Sequence, residues 1–550
     1  MTKHLRAGLW LLLLLGLWGP SSILAQSPND ADFLAALGEL REASFADKEA
    51  IVERLIQNGH PGVHSVLTAF LSDRLYFRND DQKVFIVKST EGEPAALDLV
   101  DPQTVKDAGS APADSLTKIG TNNRLRRVLR TTVARFGLSS PDTAVRLDAV
   151  RDIIRSLDEA NVALLNERIG VETNASVKRE ISMGLALAAL DGSDPKVRLD
   201  AVATLSQSVS QDVRNKLASL TEKSPDGNFV EADEQVRQAA VKALTTIDTW
   251  RTLYSYIETL FFGLSLGSVL VLVAIGLAIT FGVMGVINMA HGELMMLGAY
   301  TTYVVQTAMP QHIGISILVA IPAAFVVAAV AGIVIERTII RFLYGRPLET
   351  LLATFGLSLI LQQLVRSIFS ALNRSVETPA WMSGTLQLNE ALSITYNRLY
   401  IVIFTLLVFA VIVAVMKRTR LGLNIRAVSQ NRSMARAMGI RTEWVDAMTF
   451  GLGAGIAGVA GVALSQLTNV GPNLGQSYII DSFMVVVFGG VGNLWGALVG
   501  GMSLGIVNKL LEPYSGAVLA KIFVLVALIL FIQRRPRGLF PQTGRSAENG

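Results

Sequence analysis

The chain has 550 residues, of which 51% are hydrophobic and 17% charged, with a formal net charge of +4. It contains no cysteine, which excludes disulfides, iron–sulfur clusters, zinc–thiolate sites and cysteine nucleophiles. Residues 26–250 are mixed and charged, whereas 255–535 hold long apolar runs whose basic residues gather in loops and near the C-terminus, a pattern of membrane topology and not of nucleic-acid binding.

At the N-terminus, Lys3 and Arg6 precede an apolar core, Leu9 to Leu17, that is short for a span, and Gly19, Pro20, Ser21 and Ser22 break it. Residues 1–25 read as a secretory signal with Ala25 before the cleavage point; extended through Ala25, the same stretch reads as an uncleaved anchor. Both readings place residues 26–250 outside the cytoplasm.

Within that region a pattern recurs. Asp142-x-x-Val145-Arg146-x-x-Ala149-Val150-x-x-Ile153 is followed by copies beginning at Asp194 and Asp233, with a weaker one at Asn174. The Asp is an N-cap, Pro195 follows at a first helical position, and Val, Ala, Val and Ile or Leu make one apolar stripe with the Arg off it. The spelling resembles HEAT-like repeats, in which stacking of helices makes the core. Between Tyr76 and Val100 the helical pattern lapses, and Val84–Val87 reads as a strand, with a hairpin after Asn79-Asp80-Asp81. His60 and His64 stand at i,i+4 without an acidic ligand nearby in sequence, so a docking or structural role outweighs a metal site.

From residue 257 onward the apolar runs predict about eight or nine spans: 257–281, 285–308, 313–335, 349–371, 398–416, 446–467, 479–491, 494–511 and 518–533, the seventh short enough to be broken or re-entrant. If residues 26–250 are exported, the first span runs inward. Arg337, Arg341 and Arg346, the 417–444 loop and Arg534, Arg535 and Arg537 then all fall in the cytoplasm, as the positive-inside rule requires. Gly451 and Gly455, and Gly492, Gly496 and Gly500, are spaced for close helix packing.

Polar residues within apolar spans are costly in lipid and serve either as lining groups or as helix-to-helix bonds. Asn288, His291, Glu293, Gln362, Gln363, Gln466, Asn469 and Asp481 are the candidates for a translocation path, and neutral amides there suit a small neutral polar solute. No Gly-Lys dipeptide occurs, so the phosphate-binding loop is absent. HExxH is absent as well, and an enzyme reading is poor.

The loop 417–444 carries Lys417, Arg418, Arg420, Arg426, Arg432, Arg436 and Arg441, and reads as a short amphipathic helix ended by Gly439. Its alternative is a plain positive-inside loop. Three further stretches stand out: Gly285-Val-Ile-Asn288-Met-Ala-His291-Gly292-Glu293, Phe488-Gly489-Gly490-Val491-Gly492-Asn493-Leu-Trp-Gly496-Ala, and the loop's Arg426-Ala427-Val428-x-Gln430-Asn431 with Ala435-x-x-Met438-Gly439-Ile440. Together, over roughly residues 255–540, they resemble the permease family of branched-chain amino acid ABC importers. Leu343–Thr354, Asn469–Tyr478, Asp481–Phe488 and Phe531–Phe540 are similar to the urea-carrying subgroup, as is the exported N-terminal extension.

The resemblance implies a multi-pass permease subunit of the bacterial inner membrane, with its N-terminal domain in the periplasm and its C-terminus in the cytoplasm. It implies a second permease subunit, a periplasmic urea-binding protein and two cytoplasmic ATPases that dock on Arg426, Ala427, Val428, Gln430, Asn431, Ala435, Met438, Gly439 and Ile440. ATP is used by those partners, and no cofactor or metal is bound by this chain. The fold class expected is all-α: signal 1–25, an exported HEAT-like helical-repeat domain 26–250, a polytopic transmembrane bundle 251–540 and a cytoplasmic tail 541–550. Branched-chain amino acids or a short amide remain the alternative cargo. A passive channel or a receptor with a helical ectodomain is the alternative of another class.

Overall fold

The computed structural model describes residues 28–88, 96–155 and 157–540; the expected signal 1–25 and tail 541–550 lie outside them. The chain divides into two units, one of residues up to Ser208 with Asn215–Leu244, the other of Val209–Arg214 and Thr245 onward.

In the first unit, helices α1 (Pro28–Glu39), α2 (Phe45–Asn58) and α3 (Val63–Leu71) precede five antiparallel strands, β1 (Leu75–Arg78), β2 (Val84–Val87), β3 (Ala96–Val100), β4 (Asp107–Pro112) and β5 (Leu116–Lys118), ordered β4-β3-β2-β1-β5. The sheet is larger than the hairpin the sequence suggests. Its centre is β2, buried on both faces. Val84 and Ile86 pack with Phe33, Leu67 and Leu75, while Phe85 and Val87 pack with Leu97, Leu99 and Leu116. His60 stacks on Phe33 at 4.1 Å and accepts from the Gly62 N–H, whereas His64 meets the edge of Phe136.

Helices α4 (Asn123–Leu138), α5 (Thr143–Ile154), α6 (Glu159–Val171), α7 (Ala175–Ala189), α8 (Pro195–Leu205), α9 (Gln211–Thr221) and α10 (Glu234–Met284) follow. Asp142, Asn174, Asp194 and Asp233 accept from backbone N–H groups two residues on, each cap worth about 1 kcal/mol. The stripe differs from expectation. Val145, Val197 and Val241 are exposed, and the buried face of α5 is Arg146, Ala149, Val150 and Ile153. The arginine turns inward because it finds a full set of partners there. Arg146 donates to the carbonyls of Ser140 and Pro141 and to Glu172. Arg198 repeats this with Gly192, Ser193 and Glu231, and Arg237 donates to the carbonyls of Glu231 and Ala232. Glu172 and Glu231 in turn accept from the N–H of the next cap residue, Asn174 or Asp233. Burial works to raise the Glu172 carboxyl, but the bonds from Asn174, Arg146 and Arg168 outweigh it and hold it at about 2.

The second unit takes in most of α10 and then α11 (His291–Ala308), α12 (Ile313–Thr338), α13 (Pro347–Phe369), the hairpin β6 (Thr385–Asn389) and β7 (Leu392–Thr395), α14 (Tyr396–Arg418), α15 (Arg420–Gln430), α16 (Arg432–Ala437), α17 (Thr442–Ser465), α18 (Leu474–Gly489) and α19 (Leu494–Arg534). Among the described residues, six helices are long and apolar enough to cross a membrane: α10, α12, α13, α14, α17 and α19. The expected second span begins as helix only at His291, the seventh is the shorter α18, and the eighth and ninth form one helix broken at Gly516. Gly516 has φ +76°, a conformation that costs a side-chain-bearing residue and none for glycine.

Helix α17 is almost wholly buried and forms the centre of the bundle. Lipid offers no hydrophobic drive for helix association, so close backbone contact must supply it. A Cβ at Gly298 would meet the backbone of Gly458, one at Gly461 the Met295 carbonyl, and one at Gly292 the backbone of Gly475. Of the glycines singled out by spacing, Gly451 faces Ile333, Gly455 faces Phe325, and Gly496 and Gly500 face Gly489. Gly492 lies not in a helix but in the turn before α19, where Gly282 of α10 packs closely against it.

Candidate functional site

Helix α10 ends at Met284 and α11 begins at His291, leaving 285–290 without regular structure. Irregular backbone at membrane depth is tolerated where protein buries it or where it lines a cavity, and discontinuous helices mark binding sites in transporters. Here α13 covers it with a polar stripe. Thr350, Thr354, Ser358 and Gln362 recur every four residues and all are buried, while Leu348, Leu352, Ile360 and Ile368 on the same helix are exposed. That inversion, polar inward and apolar outward, is what a lipid-facing helix requires.

The stripe supplies the partners of the interruption. Thr354 Oγ1 accepts from the Met289 N–H at 3.1 Å, and Asn288 Oδ1 accepts from the Ala290 N–H at 3.0 Å. Glu293, in the first turn of α11, is 1% exposed. Its Oε1 accepts from Ser358 Oγ at 3.0 Å and Gln362 Nε2 at 2.8 Å. His291 is fully buried, with Nε2 3.1 Å from the Val273 carbonyl. Four buried polar atoms here have no hydrogen-bond partner among the described residues: Asn288 Nδ2, His291 Nδ1, Glu293 Oε2 and Tyr300 Oη.

Of the path candidates, Glu293 and Gln362 therefore bond directly, Asn288 lies in the interruption and His291 begins the helix after it. Gln466 is buried against Ser465 and has an unpartnered Oε1. Asp481 on α18 is buried and held by Lys521 of α19 at 2.9 Å. Gln363 and Asn469 are exposed and do not join the cluster. In α13 the residue after Gln362 points away from the stripe, because the helical period sends neighbours to different faces. Sequence reasoning missed Thr354, Ser358, Tyr300 and Lys521. The four-residue recurrence on α13 was a usable signal, as was a lone Lys inside the last apolar run.

The loop 417–444 forms two helices, α15 and α16, and not one. Asn431 is the joint, with extended backbone, and its Oδ1 caps α16 by accepting from Met434 N–H at 2.9 Å. Ile425, Val428, Ala435 and Val445 pack together beneath, with Ala427 and Ile440 partly buried. Arg432 bridges to Asp446 with both guanidinium nitrogens and lies over the Tyr344 ring. Val428 and Ala435 thus anchor the element and present no surface. Arg426, Gln430, Asn431, Met438 and Gly439 are exposed, joined by Leu423 and Met434, which the sequence reading passed over. Gly439 ends the element with φ +84°. The basic clusters gather around it: Arg341 lies 3.7 Å from Glu443, Arg337 is over Trp444, and a cleft joins Arg426 to the Gly492–Trp495 turn, whose Asn493 meets Phe540 near the C-terminal arginines.

A family model described as the branched-chain amino acid transport system permease component matches residues 259–532. The high-affinity branched-chain amino acid transport system permease protein LivH of Escherichia coli (strain K12) is 33% identical over 296 residues, covering 52% of this chain and 95% of that protein. BraD of Pseudomonas aeruginosa, of the same description, is 31% identical over 297 residues, covering 52% of this chain and 96% of its own. A probable branched-chain amino acid permease LivH of Methanocaldococcus jannaschii is 27% identical, covering 50% and 88%. No solved structure matches the chain. The chain belongs to the family of branched-chain amino acid transport permease components: it is a multi-pass membrane transport subunit, not an enzyme, and carries no cofactor of its own.

Proposed function

We propose that this chain is the permease subunit of an ATP-driven importer that carries urea across the bacterial inner membrane. The observation that carries the path is the buried Glu293–Ser358–Gln362 cluster beside the helix interruption at 285–290. Urea as cargo is supported by the stretches Leu343–Thr354, Asn469–Tyr478, Asp481–Phe488 and Phe531–Phe540, and by an N-terminal unit outside the matched family region. Branched-chain amino acids are the second reading, favoured by the descriptions of the relatives.

In this proposal residues 26–250 form a HEAT-like domain in the periplasm, following a signal over 1–25, and offer a docking surface to a urea-binding protein. A second permease subunit completes the path. Two cytoplasmic ATPases dock on the exposed face of α15 and α16, where Leu423, Met434 and Met438 stand out. ATP closes the ATPase pair, and the docked helices pass that motion to the spans as a two-state change. Val428, Ala435 and the Arg432–Asp446 bridge make α16 rigid enough to transmit it.

The test is ATP-dependent uptake of labelled urea in cells that lack urea channels and express this chain with its partner subunits, with excess leucine as competitor. Uptake that requires this chain and ignores leucine is expected. Uptake blocked by leucine, or found for leucine alone, returns the cargo to the amino acid branch.

A further inference from the structure

Glu293 lies level with the middle of α13, opposite Ser358 and Gln362, in a helix that faces lipid on its other side. A carboxyl group at such depth is expensive unless it has work to do. One of its oxygens is fully occupied by two donors. The other, Oε2, is buried and has no partner among the described residues. One turn back along α13, Thr354 holds the backbone beside Asn288, whose Nδ2 is likewise buried and unpartnered. The same stretch of α13 is therefore flanked by one free acceptor and one free donor.

We propose that Glu293 reads the cargo, its Oε2 accepting an N–H of the solute while Ser358 and Gln362 fix the other oxygen. This rests on the permease reading above and extends it to the chemistry of selection. An N–H next to a carbonyl matches the pair, with the carbonyl oxygen turned to Asn288. The class selected is a neutral amide, and urea offers donors on both sides of its carbonyl. A zwitterionic amino acid would bring a second carboxylate towards Glu293. The cation on this stripe is Arg366, a turn beyond Gln362, and Asn473 engages it at 2.6 Å.

The experiment uses the complete importer in proteoliposomes. Wild-type uptake of labelled urea and labelled leucine is measured first, so that a failure of the urea assignment is seen by itself, and Glu293 variants are then assayed with the cargo that wild type carries. Glu293→Gln keeps the shape; its amide oxygen faces Ser358 and Gln362, and an NH2 donor replaces the free acceptor. The KM for urea is expected to rise about tenfold, while kcat and ATP hydrolysis stay within about twofold of wild type. Tetramethylurea, which has no N–H, should then compete better relative to urea than it does in wild type. Glu293→Asp should recover part of the loss. An unchanged KM in Glu293→Gln overturns the proposal, and so does an equal loss for urea and tetramethylurea, which marks a purely structural role. Should Glu293→Gln not assemble, Ser358→Ala decides. It leaves the carboxylate in place with one donor fewer, and a KM raised about threefold is expected; no change counts against the proposal. If wild type carries leucine and not urea, the selection of a neutral amide is overturned together with the urea reading, whereas an unchanged KM in Glu293→Gln when wild type carries urea overturns the selection alone.

Discussion

Both units of this protein bury glutamates, and Glu172 in the first and Glu293 in the second are treated differently. Glu172 is saturated: it accepts from Arg146, Arg168 and the N–H groups of Thr173 and Asn174. Glu293 is satisfied on one oxygen and bare on the other. A saturated buried carboxylate holds structure together, because removing it strands its partners. A half-satisfied one contributes less to the fold and keeps a group available for something else. The contrast also separates the units by function: the first spends its buried charge on joining helix to helix, the second keeps one at an interrupted helix.

The largest expected effect tests the saturated side. Glu172→Gln should cost about 3 kcal/mol of stability in the first unit, because Arg146 stays buried beside a neutral amide. Denaturant unfolding of the full-length chain, followed by limited proteolysis within residues 123–244, reads this. A loss below about 1 kcal/mol would end the distinction between the two glutamates. The pH dependence has a definite sign. The Glu172 carboxyl is held at about 2 against an ordinary value of 4.5, so its contribution is complete above pH 4.5 and disappears as pH falls towards 2. The stability gap between wild type and Glu172→Gln should therefore close on acidification across that window, and a gap constant down to pH 2 would contradict it.

In the second unit, Gly458→Val should separate α17 from α12, where the added atoms meet the Ala324 carbonyl and the Ala328 methyl. The cost is about 2 kcal/mol, seen as a lower unfolding midpoint in detergent. The coupling face gives a functional effect with little change in stability. Met434→Glu with Met438→Glu, both on the exposed side of α15–α16, should reduce uptake about tenfold and weaken ATPase co-purification while leaving membrane insertion intact. Ala435→Arg should fail differently, by unseating α16 from Ile425, Val428 and Val445, and Gly439→Pro should disrupt the turn that ends it. Smallest of all, Arg155→Ala removes an exposed pair with Asp152 and should change stability by less than about 0.5 kcal/mol. A larger change would mean that surface pairs also carry the first unit.

Much was legible in the residues. Asp142, Asn174, Asp194 and Asp233 announced helix starts because capping is a local event, decided within three residues. The nine apolar runs located the helices of the second unit because lipid demands about twenty apolar residues for a crossing. The inward turn of Arg146 and Arg198 was not legible, since Glu172 and Glu231 stand about 30 residues away and a charged residue reads as exposed until its partner is known. The joint at Asn431 was missed because the apolar period continues through it while the backbone does not.

The amino-acid sequence by itself determined that this chain has a charged, helical N-terminal region and an apolar bundle, and which permease family it resembles. These follow from composition, periodicity and short motifs, which need no knowledge of distant neighbours. Only the tertiary structure decided which polar residues meet. Gln362 reaches Glu293 and the adjacent Gln363 does not; Ser358 and Thr354 serve the interruption at 285–290, and Lys521 holds Asp481. The physical reason is that a buried polar atom is valued by the partner the fold brings to it, and those partners lie about 40 to 70 residues apart in the chain.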